Sequence, residues 1–242
     1  MYQLIKPFLP NLEIVQQIFW PVLALTICSA AFVGWLRVKQ GVRIPYTRKI
    51  FHFIIFSAAG LLQYHYGLQA VSLMGGMVFL FVLVAVFFGD RVWFYQALAR
   101  ETDAPHQKKF IILPLLATAT GGILTNILFP QTAFIGYFVG GWGDAIGEPV
   151  GTRWGKHRYT VPTLFGVRAT RSLEGSLAVF ILSATIATLC ILQVTALPFG
   201  MALLVGISCG FAAAFVEAIS SHGLDNLTIQ LAAAGVLHYV LF

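Results

Sequence analysis

Long apolar runs, each ended by a short polar stretch, recur from one end of the chain to the other. They fall at about 18–38, 49–66, 68–88, 110–129, 132–150, 173–193, 197–219 and 226–242. A helix rises about 1.5 Å per residue, so runs of this length match a hydrocarbon core of roughly 30 Å. The pattern predicts an all-α integral membrane protein with eight transmembrane helices in one bundle. No internal repeat, low-complexity tract or linker divides it, so residues 1–242 read as a single polytopic domain.

Composition strengthens that reading. Of 242 residues, 58% are hydrophobic and only 10% charged, and the mean hydropathy is +0.83, too apolar for an ordinary soluble domain. Residues 1–13 contain Pro7, Pro10 and Glu13 and no small-residue cleavage pattern, so no cleavable leader is expected. Cys28, Cys190 and Cys209 lie within apolar runs without CxxC spacing and read as buried free thiols. The net charge of +6 sits in short loops, where it orients a membrane protein and meets headgroups or phosphates. Nucleic acid is therefore not an expected partner. With eight spans, every Lys and Arg except Lys6 falls on one side, which the positive-inside rule makes cytoplasmic, with both termini opposite. Asp90, Asp144, Glu148, Glu174, Glu217 and Asp225 belong to that same face. The chemistry is expected there.

The richest stretch is 140–176, which carries Asp144 and Glu148, then Arg153, Lys156, Arg158, Arg168 and Arg171, then Glu174. Ionisable groups at membrane depth are costly and mark functional sites. Spacing of four puts Asp144 and Glu148 on one side of a helix, in line with Gly136 and Gly140. Gly143, Gly147 and Gly151 form a second row, which reads as close helix packing. Two carboxylates on one face suit Mg²⁺, which takes oxygen ligands and is shared with substrate phosphates. The basic residues that follow would neutralise a polyphosphate; topology and headgroup contact are the other account of them, and the two can hold together.

Ser172 is placed to cap the next helix, and Glu174 in its first turn favours the macrodipole. The same run, Arg171-Ser172-Leu173-Glu174, also joins a cation, free helix-terminal N–H groups and a carboxylate, as a phosphate site would. Glu217 closes the seventh span, Asp225-Asn226 opens the eighth, and Arg48, Lys49 and His52 begin the second. His52 by itself reads as an interfacial histidine. Gly151 to His157 is one residue short of a P-loop, and the glycines at 141, 143 and 147 miss a dinucleotide fingerprint by one.

Four ordered stretches, Arg48-Lys49-Ile-Phe-His52, Gly143-Asp144-Ala-Ile-Gly147 with Gly155-Lys156, Arg171-Ser-Leu-Glu174-Gly175-Ser176, and Val216-Glu217 with Asp225-Asn226-Leu-Thr228, resemble the CTP-dependent polyprenol kinase family. That family includes phytol, farnesol and dolichol kinases. The resemblance runs from about residue 48 to 242. It implies Mg²⁺-dependent transfer of the CTP γ-phosphate to a lipid alcohol, phytol or a related polyprenol. Asp144 and Glu174 then look like metal and catalytic acids, Glu217 and Asp225 like further catalytic acids, and Lys156 and Arg171 like phosphate contacts. Arg153, Ser172, Arg48 and Lys49 join those contacts, and His52 and Asn226 stand on the substrate side. Glu148 is not a fixed acid of the family, so its metal role rests on spacing alone. The alternatives are a cytidylyltransferase making a CDP-lipid, a CTP-dependent diacylglycerol kinase, and an ion-coupled transporter.

Overall fold

The computed structural model describes residues 6–163 and 169–242. Within them, α1 (Leu12–Val38), α2 (Ile44–Tyr66) and α3 (Leu68–Phe88) are followed by a short helix, α4 (Trp93–Leu98). Next come α5 (Gln107–Leu128), α6 (Ala133–Trp154), the strands β1 (Arg158–Val161) and β2 (Ala169–Ser172), then α7 (Leu173–Val194), α8 (Phe199–Ile219) and α9 (Asp225–Leu241). The eight long helices coincide with the eight apolar runs. Five of them, α1, α3, α5, α7 and α8, are long and apolar enough to cross a membrane. The remaining three, α2, α6 and α9, hold Arg48, Lys49, His52, Asp144, Glu148, Asp225 and Asn226, the polar residues singled out above.

Local chemistry sets the boundaries. The Asn11 side chain accepts a hydrogen bond from Ile14 N at 2.9 Å and starts α1. Gly67, at φ 79°, separates α2 from α3 with a single residue, so the two helices run antiparallel. Ser172 caps α7 as its sequence position predicted, accepting from Gly175 N at 3.1 Å.

The all-α architecture holds, with one small element that the apolar pattern did not predict. Residues 158–161 and 169–172 pair as an antiparallel ladder, with Tyr159 opposite Arg171 and Arg158 opposite Ser172. Both runs are only four residues long, and only the first, with Tyr159, Thr160 and Val161, carries a strand pattern, which the surrounding charge obscured. Arg168 lies outside the described residues.

Two apolar cores organise the bundle. One joins Val33, Phe51, Met74, Val82, Phe94 and Ile111 from α1 to α5; the other joins Val139, Ile191, Cys209, Ile229 and Leu237 from α6 to α9. Trp20, Phe87, Phe211 and Tyr239 face outward, the apolar exterior expected of a lipid-facing surface. The three cysteines are free, but only Cys209 is fully buried and Cys28 is exposed. Helix α6 touches helices of both cores, and its glycines let neighbours approach closely. A Cβ on Gly147 would stand 2.8 Å from Val179 of α7, and one on Gly141 would collide with Phe56 of α2.

Candidate functional site

One cavity of about 520 Å³ opens where the ends of α2, α4, α6, α8 and α9 meet the hairpin. It has two kinds of wall. A charged chamber carries Arg43, Arg48, Lys49, Arg100, Arg158 and Arg171 together with Asp103, Asp144, Glu148, Glu217 and Asp225. An apolar arm continues from it along Ile55 and Phe56 of α2, Val78 and Val82 of α3, and Ile111 and Leu115 of α5.

Helix α6 delivers its two acids together. Lys49 Nζ lies 2.6 Å from Asp144 Oδ2 and 3.7 Å from Glu148 Oε2, so one ammonium bridges the carboxylates that four-residue spacing put on one face. His52, one turn further along α2, has its Nε2 3.5 Å from Asp144 and stacks on Phe56 with ring centroids 4.1 Å apart. That Nε2 is buried without a hydrogen-bond partner among the described residues.

Across the chamber, the ladder orients Arg171. Its Nε contacts Glu217 at 3.0 Å and its Nη2 contacts Asp225 at 3.0 Å. Its Nη1 is buried with no partner among the described residues, leaving a donor for a ligand. Tyr159, opposite Arg171 in the ladder, meets Ser176 at 2.7 Å, and Ser176 donates to Glu217 at 3.2 Å. The Tyr159 phenol is pushed up by burial and stays protonated at neutral pH. Asn226 donates to Thr118 at 2.8 Å and anchors α9 to α5.

Arg100, Asp103 and His222 carry more of the chamber than their sequence positions suggested. Arg100 contacts Glu148 at 2.7 Å and Asp103 at 3.1 Å, and donates through Nη2 to His222 Nε2 at 2.8 Å. Arg48 lies 3.6 Å from Asp103, which is 3% exposed and so needs these cations. Although burial lowers the Arg100 affinity for its proton, the neighbouring Glu148 and Asp103 raise it further, and the guanidinium stays charged. Burial and the adjacent Arg100 push His222 down to about 4, in keeping with an Nε2 that accepts the guanidinium proton. No short motif announced this trio; the buried Asp103 reaches the chamber only through the turn after α4.

Other expected residues lie elsewhere. Arg153, Lys156 and Glu174 border a shallower pocket with Trp154 and Gly155, and none of them lines the main cavity. Glu174 accepts from the His157 backbone N at 3.3 Å and faces its Nδ1 at 2.8 Å. The structure therefore brings together Arg48, Lys49, His52, Asp144, Glu148, Arg171, Ser172, Glu217, Asp225 and Asn226, and separates Arg153, Lys156 and Glu174 from them.

A curated phytol kinase from Synechocystis sp. is 40% identical to this chain over 108 residues. Over that stretch the chain is similar to a phytol kinase. The match spans 43% of this chain and 42% of the relative, less than half of either. No family model matches the chain. No solved structure matches it either. The likeness points to the same kind of enzyme as the motif resemblance does.

Proposed function

We propose that this chain is a lipid-alcohol kinase that transfers the γ-phosphate of CTP to an isoprenoid alcohol, phytol or a related polyprenol. The carrying observation is a single cavity in which a charged chamber is continuous with an apolar arm. A soluble polyphosphate and a membrane alcohol need that combination of walls in one place. In the proposed bundle all eight long helices cross the membrane, and the chamber faces the cytoplasm, where nucleotide is found. Gathering of the charged groups at one end argues against an ion-coupled transporter, whose acids lie near the midplane.

Phosphoryl transfer depends chiefly on positioning and charge stabilisation. The alcohol oxygen bonds the γ-phosphorus as the bond from that phosphorus to the β-bridging oxygen breaks. CDP leaves, and the hydroxyl proton passes to an acceptor in the chamber. Arg171, with its Nη1 unpartnered, and Lys49 are placed to meet phosphate oxygens. Among the described residues no three His, Cys, Asp or Glu side chains gather closely enough to cage a metal. Mg²⁺ does not require a cage, because it uses one or two carboxylates and takes its other ligands from phosphates and water. Asp144 and Glu148 fit that role. The six cations and five carboxylates of the chamber nearly cancel, so a triphosphate entering it needs added positive charge. When bound, Mg²⁺ would supply that charge.

The test is incubation of the purified protein in detergent with γ-labelled CTP and Mg²⁺ against phytol, farnesol, geranylgeraniol, dolichol and diacylglycerol. Labelled isoprenyl monophosphate with release of CDP is expected. A CDP-lipid with pyrophosphate would establish a cytidylyltransferase instead, and label on diacylglycerol alone would reassign the acceptor.

A further inference from the structure

We propose that the apolar arm between α2, α3 and α5 holds the isoprenoid tail, and that Val82, Val78 and Gly75 of α3 set the length and bulk it admits. The inference deepens the kinase reading and rests on it for the identity of the headgroup.

Polarity along α2 gives the direction. Lys49, His52 and Phe56 follow one another at intervals of three and four, so one helix face passes from a cation, to an imidazole whose Nε2 makes no hydrogen bond among the described residues, and then to an aromatic ring. An alcohol lying along it would put its hydroxyl at His52 and its first isoprene units against Ile55 and Phe56. Because α3 runs antiparallel to α2, the tail meets Val82 first, then Val78. Ile111 and Leu115 of α5 form the third wall.

Gly75, one turn beyond Val78, the last α3 residue that lines the cavity, is where we place the end of the arm. It shares a helical face with Val71, Val78 and Val82, all of them buried, yet Gly75 is exposed. A Cβ there would meet nothing within 4 Å. Gly76, the next residue, likewise meets nothing, but it lies off the Val71–Val82 face, whereas Gly75 leaves open space on an otherwise packed one. From Val82 to Gly75 the helix rises about 10 Å at 1.5 Å per residue, leaving the far end of a long tail to emerge at the gap toward lipid. The arm needs no polar partner for its occupant, which suits a hydrocarbon and excludes a second polar substrate.

Two measurements on the full-length protein in detergent test this. The first compares kcat/KM for phytol and for geraniol, an alcohol with a tail half as long, in wild type, Val82→Phe and Gly75→Leu. Filling the arm should lower the phytol-to-geraniol ratio by about ten-fold or more, the scale on which a few methylenes discriminate in an apolar pocket. Gly75→Leu has room for its side chain, so it keeps the test valid if Val82→Phe does not fold. An unchanged ratio in Gly75→Leu would overturn the proposal. The second, independent of turnover, is photolabelling with an isoprenoid alcohol bearing a diazirine at its tail end. Label on the α3 peptide containing residues 75–82 is expected, and label confined to other helices would overturn the assignment. Labelling of α3 without phosphorylation of any alcohol would retire the kinase reading while leaving the tail site in place.

Discussion

Asp144 and Arg171 show how much of the site rests on single buried contacts. Asp144 is 6% exposed and is compensated by Lys49 at 2.6 Å, with His52 nearby. Asp144→Asn keeps the shape and removes the charge, so Lys49 is left with the longer 3.7 Å contact to Glu148. Transfer should fall at least about a hundred-fold with membrane insertion intact. Initial rates and protease protection check both; full turnover in a correctly inserted variant would refute the role of Asp144. Arg171 divides its guanidinium between Glu217, Asp225 and an open donor, a geometry that a lysine cannot reproduce. Arg171→Lys should raise the KM for nucleotide by about ten-fold and that for alcohol much less. Equal changes in both constants, measured by varying each substrate in turn, would remove Arg171 from the phosphate site.

At the scale of elements, α6 governs the site because it touches the helices of both cores. Its acids are correct only if its glycine face stays seated on α7. Gly147 lies beside Glu148, and an added methyl would stand 2.8 Å from Val179. Gly147→Ala should cost about 1–3 kcal/mol by overpacking and displace Glu148 from Arg100. The outcome to look for is a lower apparent Tm together with reduced kcat; retention of both would mean that α6 and α7 have slack. The two glycine rows were legible in the sequence as packing surfaces, and so was the cap at Ser172, because both are properties of one helix. The hairpin was not, since its four-residue strands sit among charges that looked like a basic loop. Its pairing turns Tyr159 and Arg171 to the same side and carries a cation into the chamber.

The whole molecule is a closed charge network inside an apolar bundle, and its stability should record pH through His222. This imidazole lies between Arg100, 2.8 Å away, and Asp103, 3.9 Å away, with Arg48 and Glu148 also acting on it. Its folded value of about 4 is below the ordinary 6.5, so protonation favours the unfolded chain. The contribution is present above about pH 6.5 and is lost as pH falls toward 4, amounting to at most about 3 kcal/mol. Thermal melts in detergent should show that decline in wild type and a flatter profile in His222→Gln. Parallel profiles would mean that the imidazole is already free to protonate in the fold.

By itself, the sequence determined the eight helical segments, the apolar exterior and the two acids sharing one face of α6, since each depends on spacing within a single stretch. It also held the ordered motifs that resemble the polyprenol kinases. Only the tertiary structure decided which charges meet. Lys49 and Asp144 are 95 residues apart in the chain, while Glu174, close to Arg171 in sequence, turns outward to His157. Helix periodicity fixes the direction of a side chain relative to its own axis, but the partner it finds depends on how separate helices pack. For the same reason the apolar arm, shared by α2, α3 and α5, was invisible until three individually unremarkable hydrophobic faces were set around one space.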